Sequence, residues 1–271
     1  MSDLPQLTDA TLNLQERVAE LTFARDDVRN ALTGTALIED ILAALDWCNR
    51  TPEVSVLIMT GSGTAFSAGG NVKQMRDRED LFSGSVLQIQ DQYRRGIQQL
   101  PLAMQKSEIP LIAAINGPAI GAGMDLACMC DLRIGSTRTL LGETFINLGI
   151  VSGDGGTWFL PRLIGYQRAA ELLFTGRLVK AEEALQLGLL LEIVAPDRLL
   201  VRARELAAQI AAKPPHAVRL NKRLLTLGQR QQLPDFLDQC AAFQGMSHHQ
   251  ADHLEAVNAF LEKRPATFDG S

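Results

Sequence analysis

A chain of 271 residues that is 46% apolar and 21% charged carries enough hydrophobic material for one large buried core, which excludes a disordered or miniprotein class. Its net charge of −5 argues against a nucleic-acid partner or an anionic membrane surface. No apolar run reaches the length of a spanning helix, the start Met1-Ser-Asp-Leu-Pro5 lacks leader features, and the four cysteines sit among apolar neighbours; the expectation is a cytoplasmic protein with reduced thiols.

In chain order, residues 11 to 23 read as short strands, with clear alternation in Val18-Ala-Glu-Leu-Thr-Phe23. Ile38, Ile41, Leu42 and Leu45 recur at helical spacing between Thr35 and Asn49, and the strand-like run Val54 to Thr60 follows. A glycine-dense turn comes next, Phe66-Ser-Ala-Gly-Gly-Asn71. Leu87 to Met104 has the period of one long amphipathic helix; the strand 110–116 then leads into a second glycine-dense turn, Asn116-Gly-Pro-Ala-Ile-Gly-Ala-Gly123, and a helix to about Met129. A further strand starts at Leu132. Helices are expected at 168–175 and 179–187, the second stopped by Gly188, then a strand at 190–194. From Asp197 the period is helical to the end, over 197–212, 216–227, 233–243 and 247–261, interrupted at Pro214-Pro215 and Pro234. The pattern divides the chain into an α/β core of residues 1–196 and a helical region of residues 197–271.

Each glycine-dense turn joins a strand to a helix start, where backbone N–H groups lack partners and glycine permits positive φ and close ligand approach. Two such turns facing each other would hold one oxyanion, which points to chemistry on a carbonyl. Metal chemistry is not expected: neither Cys128-x-Cys130 nor the pair His249 and His253 has neighbours that complete a ligand set.

Five segments in order, 66–75, 115–131, Gly155-Gly-Thr157, Thr175-Gly176 and Ala259-Phe-Leu-Glu-Lys-Arg264, resemble the enoyl-CoA hydratase/isomerase (crotonase) superfamily over about residues 12–265. The resemblance implies a spiral of ββα units with a C-terminal helical trimerisation region, a homotrimer or dimer of trimers, and an acyl-CoA thioester as substrate, with no cofactor beyond its coenzyme A. It implies that the N–H groups of Ala68 and Ala122 hold the thioester oxygen, with Gly69, Gly70 and Gly121 shaping the turns. Val28 and Ala31 would stand near the pantetheine, Ala68 and Val72 near the adenine, and Phe260 and Lys263 would reach the coenzyme, from a neighbouring subunit if not from this one. Leu141, Phe145, Ile150 and Trp158 are candidate walls of the acyl pocket, or ordinary core.

The acids depart from the family pattern. Hydratases of this type carry two glutamates; here the first position holds Asp125 and the second holds Phe145, which cannot move a proton. Asp154 in the Gly-Asp-Gly loop and Glu143, sharing a face with Phe145 if the segment is extended, are the other candidates. The expected reaction is therefore double-bond isomerisation through Asp154 or hydration through Asp125. Two alternatives stand beside it: an acyl-CoA-binding homologue that has lost its chemistry, and a carbon–carbon hydrolase of the β-diketone type, which would need a histidine base that the N-terminal two thirds lack. RNA binding, which the resemblance implies for a few relatives, is opposed by the acidic charge.

Overall fold

In a computed structural model, which describes residues 3–270, the apolar runs of the first two thirds become two sheets with helices packed around them. The hairpin of β1 (Ala10–Gln15) and β2 (Val18–Phe23) turns through Glu16, whose φ of 54° suits a two-residue turn. After α1 (Leu37–Arg50) come β3 (Val56–Gly61), α2 (Val72–Asp77), α3 (Val86–Arg95), α4 (Gln99–Lys106), β4 (Leu111–Ile115), β5 (Pro118–Ile120), α5 (Ala122–Met129), β6 (Leu132–Ser136) and β7 (Leu140–Gly142). Then follow α6 (Gly156–Ile164), α7 (Tyr166–Thr175), β8 (Leu178–Lys180), α8 (Ala181–Leu187) and β9 (Glu192–Val194), before α9 (Leu199–Ala211), α10 (Pro215–Gly228), α11 (Leu233–His248) and α12 (Ala251–Glu262).

The large sheet has the order β1-β2-β3-β4-β6-β9, parallel from β2 onward; the small one is β5-β7-β8. Its central strands are unbroken apolar runs because both faces are covered. Alternate residues feed two cores. Leu57, Met59, Leu111 and Ala113 face the main core beneath α1 and α5, while Val56, Ile58, Ile112 and Ala114 pack against Leu199, Ala203 and Ala207 of α9. So α9 closes the far face of the sheet, and α10 is tied to the α/β core by Arg219, which donates to the carbonyls of Cys48, Thr51 and Val54. Among the described residues no helix is long and apolar enough to cross a membrane.

The structure corrects several sequence expectations. The single helix expected over residues 87–104 is two, because Gly96 leaves helical geometry (φ −98°, ψ −113°) and restarts the chain as α4. Residues 178–180 pair with β7 as a strand, so the helix there starts only at Ala181. The helix α6, directly after the Gly-Asp-Gly loop, was not expected; Pro161 inside it hid the period.

Candidate active site

The first glycine-dense turn is sewn to the segment before α1 by main-chain contacts: Ala68 N–H donates to Arg29 O at 2.9 Å, Leu32 N–H donates to Gly69 O at 2.7 Å, and Ala31 bridges Gly69. Gly69 N–H donates to Ser67 Oγ, and Asn71 N–H to Thr33 Oγ1, while the Asn71 side chain caps α2. The expectation for Ala68 is thereby corrected: its N–H is already committed to Arg29. The N–H left without an acceptor in this turn is that of Gly70.

The second turn lies directly against the first. Ser67 bridges Ala119, Ile120 N–H donates to Ser67 O, and Gly121 N–H donates to Gly142 O. Gly121, at φ 54°, swings the chain into α5, so Ala122 is the first helical residue and its N–H is one of the unpaired donors of the first turn. Backbone meets backbone so closely that a Cβ on Gly69 would fall 2.4 Å from Ile120 O, and one on Gly123 would fall 2.2 Å from Ser67 O. Gly70 and Ala122 line one small cavity of about 20 Å³, with Thr33, Met75, Phe82, Tyr93, Ile97, Phe145 and Asp154.

Three carboxylates are buried here. Asp125, on α5, is fully buried against Gly156; its Oδ2 accepts from Ser152 Oγ at 2.9 Å, and Ser152 Oγ in turn accepts from Gly156 N–H. Glu143 follows β7 and is 1% exposed, and neither of its oxygens has an N–H or O–H donor. Asp154, 3% exposed, is the carboxylate that lines the cavity. Asp125 lies close enough to Glu143 for the Glu143 charge to act on it, and close enough to Asp154 for its own charge to act there, and no ion pair among the described residues neutralises any of the three.

Burial is the first cause of their raised pKa values, ahead of mutual repulsion. It pushes Glu143 up to about 7 and lifts Asp125 and Asp154 well above the ordinary carboxylate range; the Glu143 charge adds to Asp125, and the Asp125 charge to Asp154. The Tyr93 phenol is also raised, by burial first and by the Asp154 charge second.

The remaining candidates divide by position. Phe145 lies on a 3-10 turn (Thr144–Leu148), not in an extended segment, so it lines the cavity with its ring over Gly121 while Glu143 turns inward to Asp125. Val28 and Ala31 flank the first turn, Val28 half-exposed and Ala31 buried. Val72 and Ile150 line an outer groove with Met75, Phe82, Ile89 and Tyr93. Leu141 is core. Trp158 stays outside the cavity, edge-on to Phe159 and stacked under the Arg162 guanidinium at 3.8 Å. Phe260, exposed on α12, and Lys263, at its left-handed C-cap, line no part of the cavity either. Sequence reasoning missed Gly70 as donor, Thr33, Tyr93 and Ser152. Only Ser152 carried a signal, a hydroxyl two residues before Asp154.

This geometry has counterparts. A family model described as enoyl-CoA hydratase/isomerase matches residues 13–271. Crotonyl-CoA hydratase of Syntrophomonas wolfei is 36% identical over 258 residues, 95% of this chain and 96% of the relative, and short-chain-enoyl-CoA hydratase of Clostridium acetobutylicum is 32% identical over 96% and 97%. Among solved structures, enoyl-CoA hydratase from Bacillus anthracis superposes with a TM-score of 0.90 at 33% identity, covering 97% of this chain and 100% of that one. A putative enoyl-CoA hydratase from Streptomyces coelicolor A3(2) superposes with 0.92 at 31% identity, covering 100% and 98%. Paired glycine turns, spiral sheets and whole-length similarity agree, and the chain belongs to the enoyl-CoA hydratase/isomerase family.

Proposed function

We propose that this acyl-CoA enzyme of the enoyl-CoA hydratase/isomerase type holds the thioester oxygen between the N–H groups of Gly70 and Ala122 and moves a proton on the acyl group with Asp154. The observation that carries the reading is that Asp154 alone of the three buried carboxylates lines the cavity with both free N–H groups. Two donors aimed at a developing enolate oxygen acidify C2, and conjugation extends this to C4 of a 2-enoyl chain. A single carboxylate between those carbons takes a proton from one and returns it to the other, which moves the double bond. Its raised pKa brings its basicity closer to neutral pH, where exchange in both directions is efficient. Asp125 and Glu143 are buried outside the cavity, and the Asp125 charge helps to raise the Asp154 pKa. No cofactor beyond the substrate's coenzyme A enters this reading.

Hydration is the second reading. The named hydratases among the relatives support it, and Asp154 is again the base. Exposed apolar side chains along the last two helices, among them Leu237, Met246, Leu254 and Phe260, support a homotrimer or dimer of trimers built on that face.

The test is turnover of 3-enoyl-CoA in deuterated water. Asp154→Asn is expected to lower kcat about 10²- to 10⁴-fold and to abolish deuterium entry at C4 of the product. Full turnover by that variant would sink the mechanism.

A further inference from the structure

Tyr93 is a residue of the cavity wall with a polar group that neither reading uses. It sits near the end of α3, one turn before Gly96 interrupts the helix, and it lines the inner cavity and both clefts that open beside it. Its ring packs against the backbone of the catalytic loop: a Cβ on Gly153 would fall 3.0 Å from the ring, and Gln98 holds the same residue by donating to Gly153 O at 2.7 Å. The ring is half-buried. The phenol has no hydrogen-bond partner among the described residues, although it is close enough to feel the Asp154 charge. A half-buried hydroxyl that no protein group satisfies, at the edge of a reaction chamber of about 20 Å³, is placed to bond whatever enters that chamber. That volume suits about one water molecule.

We infer that Tyr93 supplies the second hydrogen bond to the attacking water and so takes the part that Phe145 cannot play, making hydration an activity of this site. The inference rests on the thioester-polarising reading above. A water held by Asp154 alone could rotate; held by Asp154 and by the Tyr93 oxygen, it presents one lone pair to C3. In the step, the water oxygen forms a bond to C3 and the C2=C3 π pair moves onto the thioester oxygen held by Gly70 and Ala122. The released proton passes to the Asp154 carboxylate. Asp154 then returns it to C2 as the carbonyl re-forms, so the net change is addition of one water. Proton exchange at C2 of a saturated acyl-CoA needs no such water, and its dependence on Tyr93 is correspondingly smaller.

The test compares two rates in the full-length enzyme, wild type and Tyr93→Phe: hydration of crotonyl-CoA, and deuterium exchange at C2 of butyryl-CoA. Tyr93→Phe is expected to lower the kcat of hydration about 10- to 100-fold with KM changed less than about twofold, and hydration is expected to fall at least about ten times further than exchange. Tyr93→Leu, which also removes the ring, separates packing from the hydroxyl by its thermal midpoint. Hydration by Tyr93→Phe at the wild-type rate, or an equal fall in both rates, would overturn the inference. Exchange without any hydration in the wild type would overturn it too, and leave the thioester-polarising reading standing. Absence of both reactions in the wild type would remove that reading and this one together.

Discussion

Gly70 and Ala122 contribute through their main chain, so no side-chain deletion can test them. Ala122 offers a way in, because it is the first residue of α5, where a missing N–H costs the helix nothing and a fixed φ near −65° is tolerated; the preceding Gly121 accommodates the proline ring. Ala122→Pro is expected to keep its thermal midpoint within a few degrees while losing about 10²- to 10³-fold in kcat, the usual consequence of removing one oxyanion donor. Steady-state kinetics beside a melting curve checks both halves of the prediction. At this scale the sequence was legible in part. The glycines marked both turns, but the donor in the first turn was misplaced by two residues, because what consumes the Ala68 N–H is a carbonyl on Arg29, 39 positions earlier and invisible to local spacing. The inward turn of Glu143 was hidden for a similar reason: its direction follows from the 3-10 turn after Gly142, not from the alternation of a strand.

Among the elements, α5 positions most of the chemistry, with Ala122 at its start and Asp125 one turn in. Its other end is fixed by Arg133, a buried side chain on β6 that donates to Cys130 O at 2.6 Å and to Leu189 O at 2.7 Å. Arg133→Met keeps the bulk and removes those donors, leaving two buried carbonyls unsatisfied. A loss of about 3 kcal/mol in urea unfolding is expected. A loss below about 1 kcal/mol would show that water replaces the guanidinium. Long periodic elements such as α1, β3 and β4 were readable from spacing, because burial of one face or both leaves a repeating apolar signal. The three-residue strands β5, β7 and β8 carry too few residues for any period, yet their pairing holds Gly121 against Gly142.

For the whole molecule, three buried carboxylates with raised pKa values are a cost to folding. The folded chain holds protons at these three groups that the unfolded chain releases, so their contribution to stability is greatest below the unfolded carboxyl values near 4 and falls as pH rises through the folded values. For Glu143, lifted from 4.5 to about 7, the loss is complete above 7 and is on the order of 3 kcal/mol. Urea unfolding of wild type at pH 5 and pH 8 is expected to show this fall, and Glu143→Gln, which carries no titrating proton, is expected to show a smaller one. An unchanged difference between the two pH values in that variant would mean that Glu143 ionises in the fold as freely as in water. The main-chain stitching of the first glycine turn has another consequence, for evolvability. Arg29, Leu32, Ala68 and Gly69 fix the oxyanion cradle through amides and carbonyls that every amino acid possesses, whereas the groups that set the reaction are side chains at 93, 125, 143, 145 and 154 on other segments. A combinatorial library over those five positions would vary the reaction while substrate activation stayed constant.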